Sequence, residues 1–511
     1  MKKIYRLLYS NKFVAMVMLL IQIITFVAMY IWISDYSKVL FGLSTVLSAV
    51  LIIFEINRTE ESTFKMTWIT LIAIIPIFGA LFYLFTRAQG VSMNIGDDYK
   101  NIQEANKKYL VQDEDVMKNI YQTDKNQDGF ARYLSKYGGS PAYTNTGVQY
   151  YSIGERMFED MKKELLKAEK FIFLEFFIIN HTSRMWNEIL EILKKKVKQG
   201  VEVRVMYDGM GCIVTLPRKY NEYLERHGIK CRIFSPIVPL LSTHQNNRDH
   251  RKIMVIDGAT AFCGGINISD EYINEKMRFG HWKDTAIMLE GDAVRSFTLM
   301  FLEMWNVNDE HIEDCGEYIQ ASKKYSVSTD GFVIPFGDTP LDEVYVGKRA
   351  YINNLNNASE YTYIMTPYLV IDDEMYECMK YAAQRGVDVK IIMPHIPDKK
   401  YAFYLARTYY KELLKAGIEI YEYTPGFVHA KMSISDGKKA IVGTVNHDYR
   451  SLYLHYECAA YMLNVPAVMD IERDFKDTLE LSQKITLEDV KHFNIFTKLL
   501  GHIIRLVAPL L

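Results

Sequence analysis

The sequence contains two matching stretches, Asp249-His250-Arg251-Lys252-Ile253-Met254-Val255-Ile256-Asp257-Gly258 and Val428-His429-Ala430-Lys431-Met432-Ser433-Ile434-Ser435-Asp436-Gly437. In both stretches His, Lys and Asp hold the same relative positions. On a β-strand, residues i and i+2 share a face, so each stretch is expected to present an imidazole beside an ammonium. One such spacing is weak evidence for a site, whereas two copies in one chain are a specific signal.

Each copy is followed by a short small-residue segment that ends in Asn: Gly264-Gly265-Ile266-Asn267 in the first and Gly443-Thr444-Val445-Asn446 in the second. Glycine there would let the backbone approach a ligand closely, and an Asn amide can donate to an anionic oxygen. A phosphate fits this set of donors. Asn267 and Asn446 are therefore candidate phosphate-binding residues.

The sequence around the two copies also repeats. The stretch Lys198-Gln199-Gly200-Val201-Glu202-Val203 corresponds to Gln384-Arg385-Gly386-Val387-Asp388-Val389, each predicting a helix end capped by Gly and then a β-branched strand. A second pair follows with the same order of elements, at 227–236 and 416–425. The repeat predicts an α/β fold of two similar halves, each a β-sheet flanked by helices.

Composition narrows the class of protein. The chain has 511 residues, of which 24% are charged and 49% hydrophobic, so more than one domain is expected. The formal net charge is −2, which excludes the general basic field that attracts nucleic acid. Six cysteines without CxxC spacing suggest neither a zinc site nor a disulfide framework.

Apolar residues concentrate near the N-terminus in three runs, at 13–33, 39–54 and 66–85, the last interrupted by Pro76 and Gly79. A bilayer is crossed by a helix of about 20 apolar residues, so two or three transmembrane helices are expected. Basic residues before the first run favour a cytoplasmic N-terminus, but the side of the membrane that carries the body depends on whether two or three runs cross.

These observations divide the chain into four regions. Residues 1–90 are expected to form a membrane anchor and 91–130 a linker or helical region. Residues 131–325 form the first half, with His250, Lys252 and Asp257, and 326–511 the second, with His429, Lys431 and Asp436.

The paired strings with their Gly-x-x-Asn tails resemble the phospholipase D superfamily. Further stretches are similar to bacterial cardiolipin synthases in particular: Leu174-Glu175-Phe176-Phe177, Trp282-Lys283-Asp284-Thr285, Thr366-Pro367-Tyr368, Asn446-His447-Asp448-Tyr449-Arg450-Ser451 and Glu457. The resemblance implies two phospholipase D-like halves behind N-terminal transmembrane helices. It also implies a multi-pass protein of the cell membrane.

The resemblance implies a reaction in which one phosphatidylglycerol loses glycerol and passes its phosphatidyl group to another, giving cardiolipin. The residue types agree with it, because a neutral imidazole can attack phosphorus and a protonated one can release the leaving alcohol. His250 is the expected nucleophile by analogy and His429 the acid/base, although the sequence does not itself separate these roles. Lys252 and Lys431 would hold the phosphate oxygens, so no metal or other cofactor is required.

By the same resemblance, Asp257 and Asp436 would lie behind the histidines and orient the imidazole rings. The expected partners are phosphatidylglycerol and other membrane lipids, not nucleic acid, and the oligomeric state stays open. Alternatives are a phospholipase D-type hydrolase, another phosphatidyltransferase, or a non-enzymatic membrane scaffold on the same fold.

Overall fold

The structure, a computed structural model, describes Leu20, Ile24 and residues 35–87, 92–236, 246–307, 312–322 and 329–510. It separates into two compact units. The smaller is drawn from Met1–Asn94, Ile237–Asn246 and His502–Leu511, and the larger from Ile95–Pro236 and Asn247–Gly501. The larger unit contains both copies of the repeated motif.

The smaller unit contains helices α1 (Asp35–Ile56), α2 (Ser62–Ile74) and α3 (Pro76–Arg87). Its core consists of side chains from all three helices: Leu51, Trp68, Ile72, Ala80 and Tyr83. Within the described residues, no helix is both long enough and apolar enough to cross a membrane. The expected span at 13–33 lies outside the described residues, apart from Leu20 and Ile24, and the one at 39–54 lies within α1.

The run at 66–85, expected as one span, is not a single helix. It forms α2 and α3, of 13 and 12 residues, which separate at Ile75. Proline at position 76 disfavours helical backbone at the preceding residue, and Ile75 has φ −129° and ψ 72°. The rings of Trp68 and Tyr83 lie 5.4 Å apart, so the two helices fold back on each other.

The larger unit begins with helices where the sequence predicted a linker or helical region. These are α4 (Ser92–Asn106), α5 (Glu114–Thr123) and α6 (Lys125–Tyr137). Asp113 and Asp124 cap the second and third of them by accepting backbone N–H groups. Tyr99 and Ile102 of α4 are buried in the main core, so this region packs as part of the body.

The first half is a seven-stranded sheet in the order β1-β9-β7-β6-β2-β3-β4. Its strands are β1 (Thr146–Tyr151), β2 (Phe171–Phe176), β3 (Glu202–Asp208), β4 (Lys230–Phe234), β6 (Lys252–Ile256), β7 (Thr260–Gly264) and β9 (Ala286–Gly291). Its helices are α7 (Gly154–Lys167), α8 (Arg184–Lys198), α9 (Tyr220–Glu225), α10 (Val294–Asn306) and α11 (Gly316–Ser322). Strands β2, β3 and β4 are parallel, which is possible because helices connect them.

The second half repeats this plan in the order β10-β19-β17-β16-β11-β13-β14-β20. Its strands are β10 (Phe332–Asp338), β11 (Tyr361–Met365), β13 (Asp388–Pro394), β14 (Glu419–Tyr423), β16 (Met432–Ser435), β17 (Lys439–Gly443), β19 (His455–Leu463) and β20 (Ser482–Ile485), with a short pair β12 (Leu369–Val370) and β18 (His447–Asp448) beside them. Its helices are α12 (Val346–Asn356), α13 (Asp373–Gln384), α14 (Lys400–Lys415), α15 (Tyr449–Tyr453), α16 (Ala467–Glu480), α17 (Leu487–His492) and α18 (Ile495–Leu506). The predicted α/β fold of two similar halves is confirmed.

One hydrophobic core joins the two halves. Helix α10 is buried along nearly its whole length, and the rings of Phe173 and Phe301 stack at 4.6 Å. The same core includes Val428, Met432 and Ile434 from the second half. Because strands β2, β6 and β7 are buried on both faces, they read as nearly continuous apolar runs, as in other sheets covered by helices.

Two short strands cross from one half to the other. Strand β5 (Arg248–Asp249), in the first half, pairs in parallel with β19 of the second. Strand β15 (Gly426–Val428), in the second half, pairs in parallel with β8 (His281–Lys283) of the first. Each crossing strand comes directly before one of the repeated histidines.

Candidate active site

Each repeated histidine directly follows a short strand that pairs with the opposite half and precedes a strand of its own half's sheet. His250 follows β5 and precedes β6, and its N–H donates to the carbonyl of Tyr456 at 2.9 Å. His429 follows β15, and its N–H donates to the carbonyl of Lys283 at 2.7 Å. In both cases the carbonyl belongs to the opposite half, so each half fixes the backbone of the other half's histidine.

The imidazole rings are held in the same reciprocal way. His250 Nδ1 lies 2.8 Å from Glu457 Oε1 in the second half. His429 Nδ1 lies 2.7 Å from Asp284 Oδ2 in the first half. An ionised carboxylate can only accept, so both rings carry their proton on Nδ1 and leave the Nε2 lone pair available.

The prediction that Asp257 and Asp436 lie behind the histidines is wrong. Asp257 accepts the N–H groups of Glu169, Lys170 and Phe171 at 2.7–2.8 Å. Its φ is 52°, in the left-handed region of a turn. These bonds join the β6–β7 hairpin to the start of β2.

Asp436 has the same role in the second half, where it accepts the N–H groups of Ser359, Glu360 and Tyr361. Burial opposes ionisation here, but these N–H donors hold the pKa of Asp436 below its usual value. The third residue of each repeated motif therefore stabilises the sheet, and the carboxylates behind the histidines come from elsewhere in the chain.

The two motif lysines are buried beside the histidines. Lys252 Nζ donates to the carbonyl of His250, and Lys431 Nζ to that of His429. Burial lowers the pKa of Lys252. Burial together with the charge of Lys252 lowers the pKa of Lys431 to about 7, although Asp284 opposes the shift. Lys252 of the first copy thus acts on Lys431 of the second, and Lys431 acts on His250, so the two copies lie close together.

This environment favours the neutral form of both histidines. Burial, then the charges of Lys252 and Lys431, lower the pKa of His250 well below its ordinary value. Burial and Lys431 lower the pKa of His429 to about 4 against the pull of Asp284. The sequence-based mechanism requires one protonated imidazole, which would form only when an anion offsets the two ammonium charges.

The two asparagines differ in their surroundings. Asn267 Oδ1 accepts the N–H of Ile178 at 2.9 Å, and its Nδ2 donates to the hydroxyl of Tyr272 at 2.8 Å. Asn446 is also buried, but its Oδ1 has no hydrogen-bond partner within the described residues. Asn267 thus bonds the protein with both polar atoms, whereas Asn446 retains one unused acceptor.

The glycines before these asparagines make room for the protein itself. A Cβ on Gly265 would lie 2.0 Å from Asp284 Oδ1. Thr444 occupies the matching position in the second half, and its hydroxyl donates to Glu457 Oε2. Gly265 therefore makes room for the Asp284 carboxylate, which lies behind His429. The sequence had instead predicted that these glycines make room for a ligand.

Sequence reasoning missed the roles of Glu457 and Asp284, although both were noticed as parts of the resemblance. Glu457 is fully buried within the mostly apolar strand β19, where it accepts from Ser451 Oγ at 2.6 Å as well as from His250. An isolated acid in an apolar strand was the available signal, because such a group is buried only with partners.

Two family models match the chain. One, described as "Cardiolipin synthase, PLD-like domain", matches residues 161–305 and 351–479. The other, described as "Phospholipase_D-nuclease N-terminal", matches residues 45–87. The first includes both reciprocal histidine sites.

Curated relatives match over almost the whole chain. A Streptococcus mutans protein described as "Uncharacterized protein" is 50% identical over 460 residues, covering 90% of this chain and 99% of its own. A "Cardiolipin synthase" of Alkalihalophilus pseudofirmus is 33% identical over 499 residues, covering 95% of this chain and 97% of its own. Among solved structures, a phosphatidylserine synthase of Haemophilus influenzae has a TM-score of 0.55 at 12% identity and covers 76% of this chain and 98% of its own, which shows similarity of fold.

Two carboxylates contact the repeated histidines and two accept backbone N–H groups. Replacing each kind by an amide should affect turnover in the first case and stability in the second. Glu457→Gln and Asp284→Asn should melt near the parent temperature but lower phosphodiester turnover by about 10²–10⁴-fold, because the rings lose the fixed tautomer. Asp257→Asn and Asp436→Asn should cost about 2–3 kcal/mol of unfolding free energy, since an amide N–H would face backbone donors. Thermal melts and turnover of the folded protein measure both effects. An Asp257→Asn protein that melts normally but is inactive would contradict this division.

Proposed function

Because the chain belongs to the cardiolipin synthase family of phospholipase D-like proteins, we propose that it joins two phosphatidylglycerol molecules into cardiolipin through a phosphohistidine. The chain is a phosphatidyltransferase of this family, and free glycerol is the second product. The observation that carries the mechanism is the pair of reciprocally held histidines, each with Nδ1 bound to a carboxylate and Nε2 available.

The first half-reaction begins when the phosphodiester of one phosphatidylglycerol binds between Lys252 and Lys431. Its negative charge offsets the two ammonium groups and so raises the histidine pKa values again. His250 Nε2 attacks phosphorus while His429, now protonated at Nε2, gives its proton to the departing glycerol oxygen. A nitrogen–phosphorus bond forms, an oxygen–phosphorus bond breaks, and a phosphatidyl-enzyme remains.

The second half-reaction reverses these steps with a new alcohol. His429 takes the proton of a hydroxyl on the second phosphatidylglycerol, whose oxygen attacks phosphorus and releases His250. Glu457 and Asp284 would stabilise the imidazolium character that each ring acquires. Asn446 is the better candidate of the two asparagines for contacting a phosphate, because Asn267 already bonds the protein with both polar atoms.

We also propose that the chain works at a membrane. Apolar side chains of α1 are exposed in the smaller unit, among them Leu43, Val46, Val50, Ile53 and Phe54. Helix α18 likewise exposes one apolar face, made of Ile495, Phe496, Leu499, Ile503 and Leu506. Such faces are covered by lipid in proteins that lie on or in a bilayer. As part of this proposal, residues 1–90 are the anchor, 91–130 a helical segment, and 131–325 and 326–511 the two halves.

Membrane attachment predicts that the chain stays in the membrane pellet after an alkaline carbonate wash, which removes proteins held only by charge. A version lacking residues 1–90 should be released more readily, because it keeps the apolar face of α18 but loses that of α1. Immunoblots of pellet and supernatant measure the distribution. Release of the full chain into the supernatant would contradict the anchor.

The transfer reaction predicts that purified chain in detergent micelles converts labelled phosphatidylglycerol to cardiolipin and glycerol without added divalent metal. His250→Ala should form no covalent intermediate. His429→Ala should form one slowly and retain it, because the nucleophile remains but the acid/base is lost. Thin-layer chromatography follows the products, and acid-labile label on the protein follows the intermediate.

The matched control for these variants is His227→Ala, which removes an exposed histidine whose Nδ1 lies 2.8 Å from the Tyr223 carbonyl. It should keep parent activity. Phosphatidic acid as the sole product would make the chain a hydrolase instead. Label retained by His250→Ala and lost by His429→Ala would exchange the two roles.

The lowered pKa of Lys431, about 7, predicts an alkaline decline in kcat/KM. As pH rises through this value the ammonium loses its proton, and with it the charge that holds the phosphate. In Lys431→Arg the decline should move to higher pH, since a guanidinium stays charged. Lys438→Arg, at an exposed position, is the control and should keep the parent profile. The same decline in Lys431→Arg as in the parent would show that another group titrates.

A further inference from the structure

A third histidine lies beside His250, and the proposed reaction does not use it. His455 is 9% exposed, and its ring centroid is 5.5 Å from that of His250. Neither of its ring nitrogens makes a hydrogen bond within the described part of the chain. Glu457 Oε1 lies 3.7 Å from its Nδ1. An imidazole loses its hydration when it is buried, and a hydrogen bond to the protein normally compensates for that loss. The burial of His455 without such a bond therefore needs an explanation.

The other half of the site has no such imidazole. His455 stands two residues before Glu457, and the residue two before Asp284 is Trp282. Trp282 packs against His429 at 5.3 Å between centroids, as His455 packs against His250. The position two residues before the carboxylate is therefore Trp282 beside His429 and His455 beside His250. Of these two side chains, the imidazole is the one that can bind a metal ion.

His455 completes a group that matches a transition-metal site. One nitrogen of His250, one nitrogen of His455 and one oxygen of Glu457 all lie within 4.8 Å of one another. Two imidazoles and a carboxylate form the protein ligand set of several zinc sites, with a fourth position left open. Hard cations such as Mg²⁺ and Ca²⁺ prefer oxygen ligands, so this set discriminates against them.

We propose that His250, His455 and Glu457 bind a zinc ion that switches the enzyme off. The ligand atoms need to move by about 1 Å to reach the Zn–N distance of about 2.0–2.1 Å. The cysteines gave no sign of this site, because its ligands are two imidazoles and a carboxylate that come from the two halves. His429 has no corresponding cluster among the described residues, so the ion would act on one histidine of the pair.

Inhibition follows from the tautomer of His250. Zinc can bind Nδ1 only when that nitrogen carries no proton. Binding therefore favours the other tautomer of His250, in which the proton has moved to Nε2. Glu457 exchanges its hydrogen bond from Nδ1 for a bond to the ion. An Nε2 that carries hydrogen has no lone pair for phosphorus, and the zinc-bound enzyme cannot form the phosphatidyl intermediate. This step rests on the proposed role of His250, whereas the binding of zinc does not.

The binding arm of the test uses tag-free full-length protein in detergent, stripped with chelator and titrated with Zn²⁺ against a chromophoric competitor. The parent should bind one more tight zinc than His455→Trp, which places at this position the residue found in the other half. His227→Gln, an exposed histidine outside the cluster, is the matched control and should bind as the parent does. Co²⁺ should give a tetrahedral absorption band in the parent that His455→Trp lacks.

The activity arm measures phosphatidylglycerol turnover at increasing Zn²⁺, each protein relative to its own rate without metal. The half-inhibiting concentration should rise at least about tenfold in His455→Trp and stay unchanged in His227→Gln, with chelator restoring the parent rate. Mg²⁺ should not inhibit. Equal zinc binding by parent and His455→Trp overturns the proposal, as does tight binding that leaves turnover unchanged. If the parent transfers no phosphatidyl group, the proposed function fails while the binding arm still decides the metal site.

Discussion

The structure depends on contacts that each half makes with the histidine of the other half. Each histidine is fixed by a backbone hydrogen bond and a carboxylate that both come from the opposite half, and a two- or three-residue parallel strand leads into each. A sheet that ended at the histidine would leave the ring on a flexible edge. Because the chain instead changes sheet partners there, rotation of either imidazole would break bonds in both halves, and the orientation is set by the whole larger unit.

These contacts between the halves also explain the charge balance of the site. Two lysines and two histidines are buried together, and the repulsion among their protonated forms would be offset only in part by Glu457 and Asp284. Burial and like charge favour the neutral imidazoles and weaken the protonation of Lys431. In the proposed reaction, a bound phosphodiester would supply the missing negative charge. The substrate, and not the protein alone, would then set the protonation of the two histidines.

Much of this could be predicted from local sequence. The repeat gave the two halves, and the spacing of His and Lys identified residues that do converge. The carboxylates could not be assigned by spacing, because Glu457 is 207 residues from His250 and Asp284 is 145 from His429. Asp257 and Asp436 were placed behind the histidines by the resemblance, whereas turn geometry directs both toward backbone N–H groups. The apolar run at 66–85 was misjudged because Pro76 ends a helix that hydropathy alone extends.

The crossing strands also have a consequence for how the protein is made. Synthesis runs from the N-terminus, so β5 and β8 leave the ribosome long before β19 and β15 exist to pair with them. Until then the His250 ring has no carboxylate to fix its tautomer, and the Asp284 carboxylate has no imidazole to hold. On the proposed mechanism, an unfinished chain therefore lacks the carboxylate that would prepare His250 to attack a phosphodiester. The site would be complete when the second half of the polypeptide has been made.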